Sequence, residues 1–114
     1  MIDAVHSILF ARDAEAARAF FADVLGLHSV DAGGGWPIFA LPPAELAVHP
    51  AEGDPRQELY LMTDDLEVTL GELRECGVAI TSEPSDQGWG VLASIEVPGY
   101  GPVGLYQPRH PSPR

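Results

Sequence analysis

Apolar residues recur along this chain with two different periods. Val5 to Phe10 is a short, dense apolar run, which reads as a strand. Ala16, Ala17, Phe20, Phe21, Val24 and Leu25 then fall three and four positions apart, the stripe of an amphipathic helix. Asp13 stands before that stripe as an N-cap, and Gly26 follows it where a helix end takes a left-handed residue. Leu27–Val30, Trp36–Leu41 and Glu45–His49 are expected to be strands, separated by Gly33-Gly34-Gly35 and by Pro42-Pro43. The stretch AEGDPR at 51–56 is polar and reads as a linker.

The pattern then restarts. Glu58–Met62 predicts a strand, and Asp64 or Asp65 caps a helix carrying Leu66, Leu70 and Leu73 that stops at Cys76-Gly77. Val78–Thr81 is a strand, Glu83–Gly88 a turn-rich loop, Trp89–Val97 a strand, Pro98–Gly101 a turn and Val103–Gln107 a last strand. The tail PRHPSPR is expected to fray. The two halves overlay around the helices with a constant offset of 51, Asp13 on Asp64 and Gly26 on Gly77, and later Trp36 falls on Trp89 and Pro50 on Pro108. Each half reads strand-helix-strand-strand-strand. Neither is long enough to bury a core alone, so the two must share one.

Composition narrows the possible partners. A chain of 114 residues, 46% of them hydrophobic, suits one domain with a real core. No apolar run reaches the length of a membrane span, and the N-terminus lacks a basic region ahead of an apolar one, so a cytoplasmic location is expected. A net charge of −11 opposes nucleic acid and anionic lipid alike. The single cysteine, Cys76, excludes an intramolecular disulfide and a cysteine-based zinc site, and is expected to be a small buried apolar residue. DAGGGWP lacks the strand-to-helix context and the Lys-Ser/Thr of a phosphate cradle.

Three stretches, VHSILFARDAEAARAFFADVLGL, ELYLMTDDLEVTLGELRECGV and PGYGPVGLYQP, together resemble the vicinal oxygen chelate superfamily, the glyoxalase, bleomycin-resistance and extradiol-dioxygenase group. The resemblance covers residues 2–108, nearly the whole chain. It implies an α+β fold of two βαβββ modules in one domain over residues 1–110, module one at 2–50 and module two at 57–108, with 109–114 a flexible tail. It also implies a cleft between the sheets and a homodimer.

In metal-dependent members of that group each module offers a His at the start of its first strand and a Glu on its last. The metal there chelates adjacent substrate oxygens as a Lewis acid. Carried over position by position, these ligands fall on His6, Gln57, Leu46 and Gly104. Only His6 is a good ligand and Gln57 a poor one, fewer than the three a transition metal usually needs, so no cofactor is expected. A one-residue shift brings Glu58 to the site, because the period of a strand is two, and Glu45 or His49 are further candidates. In that shifted register His6 and Glu58 hold zinc, manganese or iron(II).

Trp36 and Trp89, each after a glycine at equivalent points, either pack at sheet edges or wall an apolar cleft. Tyr60, Tyr100 and Tyr106 offer hydroxyls, while His28 reads as a surface residue and His110 as free in the tail. Three functions follow. The first is a small-molecule binder with a degraded metal site, sequestering an aromatic or apolar compound in a cleft lined by Trp36, Trp89, Tyr60, Tyr106 and Gln57, as antibiotic-binding members of the group do. The alternative is a metal-dependent lyase or dioxygenase-like enzyme using His6 with a shifted carboxylate. The third is a dimer with no ligand.

Overall fold

Asp13 and Asp65 play the same part at the heads of the two helices. In the computed structural model, which describes residues 6–45, 47, 49, 50, 52–54 and 56–111, Asp13 accepts a hydrogen bond from the Ala16 amide at 3.0 Å and starts α1, Ala14–Ala19. Asp65 accepts from the Val68 amide at 3.1 Å and starts α2, Leu66–Glu75. Each carboxylate satisfies an amide that the first helical turn leaves without a partner. The cap of α2 is therefore Asp65, and the offset between the two caps is 52.

The glycines that stop the helices still differ by 51: Gly26 at φ +67° and Gly77 at φ +80°. The first helix thus holds one residue more between cap and stop. That residue is absorbed where α1 runs on as a π-helical turn, Phe20–Val24. A π turn widens the helix by one position while keeping both flanks on their faces, so Phe20 and Phe21 both reach the core. Cys76 caps α2 and is exposed, not buried: it is the first residue past the helix's last apolar turn.

The second half forms its module in full. Strands β3 (Tyr60–Met62), β4 (Ile80–Asp86), β5 (Gly90–Val97) and β6 (Gly101–Pro108) make one sheet in the order β3-β6-β5-β4. β3 is parallel to β6, and the other pairs are antiparallel. The expected loop at 83–88 is instead mostly strand. β4 runs through Pro84 to Asp86, because Pro84 sits on the edge of the sheet where its missing N–H costs no ladder bond. Two register breaks interrupt its pairing with β5, one between Ile80 and Ser82 and one between Ser82 and Ser85.

The first half forms less of its own. β1 (Ser29–Asp31) and β2 (Pro37–Phe39) pair as a short antiparallel hairpin, with Val30 opposite Ile38. Among the described residues of 6–10 and 45–50 no strand is formed; Val5, Leu46 and Val48 lie outside the description. Residues 6–10 still alternate. Leu9 packs against the core, while Ile8 and Phe10 point outward, Phe10 being 89% exposed. The pattern of a strand is present there, but its ladder is not.

Both helices cover one face of the four-stranded sheet. Phe20 and Phe21 from the first half and Leu66, Leu70 and Leu73 from α2 join Ile95, Val97, Val103 and Leu105 in a single buried cluster. The alternation of β5 and β6 sends Leu92, Ser94, Gly104 and Tyr106 to the other face. Asp13 N–H donates to the Gly99 carbonyl at 3.0 Å, which ties the start of α1 to the β5–β6 turn. No helix among the described residues is long and apolar enough to cross a membrane.

Candidate ligand-binding cleft

The sheet face turned away from the helices carries an open cavity of about 380 Å³. That is within the range of small-molecule sites, roughly 300–1,000 Å³. Gln57, Glu58 and Tyr60 enter it from the start of β3, Ser82 from β4, Ser94 from β5 and Tyr100 from the β5–β6 turn.

The floor is built by a missing side chain. Gly104 pairs with Tyr60 on one side and with Ser94 on the other. A Cβ at Gly104 would stand 2.6 Å from Cε1 of Tyr60, closer than real Cβ atoms come. The Tyr60 ring therefore lies over the glycine and fills the space a side chain there would need. This is also where the resemblance puts a metal-binding carboxylate.

Tyr60 is held at its far end as well. Its hydroxyl donates to Oε1 of Glu58 at 3.3 Å, and Nε of Arg56 lies 3.9 Å from Oε2 of the same carboxylate. Partial burial raises the Tyr60 phenol above its ordinary pKa, and the negative charge and hydrogen bond of Glu58 add to that rise. Ser94 Oγ and Thr81 Oγ1 share a 2.6 Å hydrogen bond beside the floor.

Next to the cavity the rings form a chain. Tyr60 meets Tyr106 edge-to-face with centroids 5.9 Å apart, and Tyr106 meets Trp89 edge-to-face at 5.2 Å. Tyr60, Tyr106 and Trp89 are thus brought together. Trp36 is not in that chain: it is 66% exposed, with the guanidinium of Arg18 5.1 Å from its ring centroid. Neither indole is among the residues that line the cavity. Equivalent positions in the repeat have diverged because the first hairpin stands outside the large sheet.

The metal-ligand candidates are placed as follows. His6 is exposed. It precedes its cap, Asp13, by seven residues, and Glu58 precedes Asp65 by seven, so the caps make Glu58 the counterpart of His6 and displace Gln57. Glu45 is half-buried and His49 exposed, while Leu46 lies outside the described residues. Among the described residues no group of three or more His, Cys, Asp or Glu side chains converges on a point. Gln107 serves the helix instead, its Oε1 accepting the Leu66 amide at 2.9 Å as a second cap on α2.

Two features escape a reading of the sequence. Ser82 and Ser94 line the cavity, and only the two-residue period of β5, which buries Ala93, Ile95 and Val97 on the other face, hints at it for Ser94. The tail is also tied down at its start. Arg109 pairs with Asp86, its N–H donates to the Trp89 carbonyl at 2.9 Å, and the His110 ring lies against Tyr106. The Gly88 amide and then Arg109 hold the Asp86 carboxyl below the usual carboxylate range.

Comparison with known proteins decides the family. The model of the Glyoxalase/Bleomycin resistance protein/Dioxygenase superfamily matches residues 3–106. The chain belongs to that superfamily. Among solved structures it is similar to TnmS3, described as an antibiotic binding protein, from Streptomyces sp. CB03234. The two are 26% identical, with 95% of this chain and 99% of the other covered and a TM-score of 0.63. A superfamily member from Sphaerobacter thermophilus DSM 20745 is 24% identical over 92% of this chain and 97% of its own, with a TM-score of 0.63. A lactoylglutathione lyase from Agrobacterium tumefaciens shares the fold at 18% identity, 92% and 93% coverage and a TM-score of 0.63. No curated protein matches the chain.

Proposed function

We propose that this superfamily member binds and sequesters a small aromatic or otherwise apolar compound in the cleft, without a resident metal, as a cytoplasmic homodimer. The observation that carries the reading is the cavity of about 380 Å³ on the uncovered sheet face, with the tyrosines at 60 and 100 in its lining. Flat rings beside a few hydroxyls and amides are what a small-molecule site offers: contact area plus a handful of orienting hydrogen bonds. The likeness to an antibiotic binding protein over 95% of the chain supports it. So does Gly104, which offers no side chain where the resemblance puts a carboxylate and over which the ring of Tyr60 lies.

Titration with planar aromatic antibiotics tests the reading, with Trp89 fluorescence followed in a Trp36→Phe background. Saturable binding is expected, insensitive to chelators and abolished by Ser94→Phe, which fills the floor. Binding that persists in Ser94→Phe, or none across the panel, would sink it.

One observation favours a second reading, a metal-dependent lyase or dioxygenase-like enzyme: the caps set Glu58 opposite His6 in the repeat. On that reading added zinc, manganese or iron(II) raises the melting temperature by several degrees, and His6→Ala cancels the rise. A melting temperature indifferent to all three metals removes it.

A further inference from the structure

The cleft carries a charge as well as a shape. Of the described residues that line it, Glu58 alone is formally charged; Arg56, 3.9 Å from its carboxylate, stands outside the lining. The chain has six arginines, no lysine and a net charge of −11. A cavity open to solvent in such a protein holds a negative potential that concentrates cations and repels anions. Among the described residues, Glu58 is engaged only at long range, 3.3 Å from the Tyr60 hydroxyl and 3.9 Å from Arg56 Nε. A charge-assisted hydrogen bond to a carboxylate closes to about 2.8 Å, so a better donor would displace Arg56.

We propose, building on the small-molecule reading above, that the compound taken by this cleft is a ring-bearing cation whose charged N–H group donates to the Glu58 carboxylate, with its ring against Tyr60. The hydrogen bond from Tyr60 holds Oε1 beside its own ring at the cavity, and aromatic rings such as those of Tyr60 and Tyr100 in the lining attract a cation in their own right. The hydroxyls of Ser82 and Ser94 stand within the same cavity to accept further N–H groups. A neutral or anionic ring in this place would strip water from Glu58 and return nothing to it. The cleft thus selects among aromatic compounds by charge, which the cavity's size does not.

Two dyes on one ring system test it: 9-aminoacridine, a cation at neutral pH, and acridine-9-carboxylate, an anion. Binding is read by fluorescence titration at low and at moderate salt. The cation is expected to bind, the anion to bind at least tenfold more weakly, and the preference to shrink as salt rises. Glu58→Gln is expected to cost the cation about tenfold or more in affinity, the order of a hydrogen bond to a charged group, and to leave the anion unchanged or improved. Glu75→Gln, which removes the same charge from the exposed side of α2, is the control and is expected to change nothing. Equal losses in Glu58→Gln and Glu75→Gln would reduce the effect to net charge and overturn the proposal. If both dyes bind alike and Ser94→Phe abolishes both, the small-molecule reading stands and the cation proposal falls. If neither dye binds, or Ser94→Phe leaves binding intact, both fall.

Discussion

Adding one methyl group at Gly104 puts a carbon 2.6 Å from Cε1 of Tyr60, and the ring has to leave. Overpacking of that kind costs about 1–3 kcal/mol. Gly104→Ala is therefore expected to lower stability in urea by that order, and to cost under about 0.5 kcal/mol when made in a Tyr60→Ala background. A cost that stays the same in both backgrounds would place the strain in the backbone and not in the ring. Asp86 supplies a pH test at the same scale. Its carboxyl is held below the ordinary value of 3.8, first by the Gly88 amide and then by Arg109. A lowered pKa stabilises the folded chain fully above the unfolded value, and that contribution is lost as the pH falls through the folded one. The tie from the tail to Trp89 should then loosen in acid, below pH 3.8. In a Trp36→Phe protein, Trp89 emission is expected to shift there, and Asp86→Asn should show the shifted emission already at neutral pH.

Among the elements, α2 has two caps, Asp65 at the Val68 amide and Gln107 at the Leu66 amide. The second crosses from β6, so it sets the helix against the sheet as well as closing its end. Gln107→Ala is expected to cost about 1–2 kcal/mol in chemical denaturation, the range for a lost cap. The π turn after α1 makes a sharper forecast. Deleting Ala22, an exposed residue within it, gives the first helix the cap-to-glycine spacing of the second. That variant should keep a single cooperative unfolding transition, whereas deleting Glu72 from the regular turns of α2 should not.

Much of this architecture is legible in the sequence. Both helices announce themselves through an acidic cap, a three-and-four apolar spacing and a closing glycine, all local signals. β5 also shows its two-residue period, with Ala93, Ile95 and Val97 on one face, and the family resemblance supplies the strand-helix-strand plan. The extra residue in the first helix is invisible there, because Phe20, Phe21 and Val24 fit an α stripe and a π turn equally well. That one position is what moves the counterpart of His6 from Gln57 to Glu58. Pro84 suggests a loop because its place at the sheet edge depends on partners far along the chain. Tyr60 and Gln57 stand out by residue type and position, but Ser82 and Ser94 do not, since a small polar residue on a strand looks the same on either face.

For the molecule as a whole, the first half leaves several apolar side chains in solvent: Ile8 and Phe10 on the extended segment, and Val30 and Ile38 paired on the hairpin. The proposed homodimer is expected to cover them. Light scattering at micromolar concentration should give twice the chain mass, and Phe10→Asp with Ile38→Asp should halve it. A wild-type chain of single mass would remove that part of the reading. The edge of the large sheet has another way of meeting its neighbours. β4 is the exposed border of the large sheet, yet it carries Pro84, two register breaks and the charges of Glu83 and Asp86. Each of these denies a passing chain a continuous row of donors and acceptors on which to zip. Concentrated solutions of the protein should therefore stay clear, with growth into fibres blocked at that border. Pro84→Val restores an N–H to the row, and on agitation it should bring thioflavin-positive aggregate that the parent chain does not form.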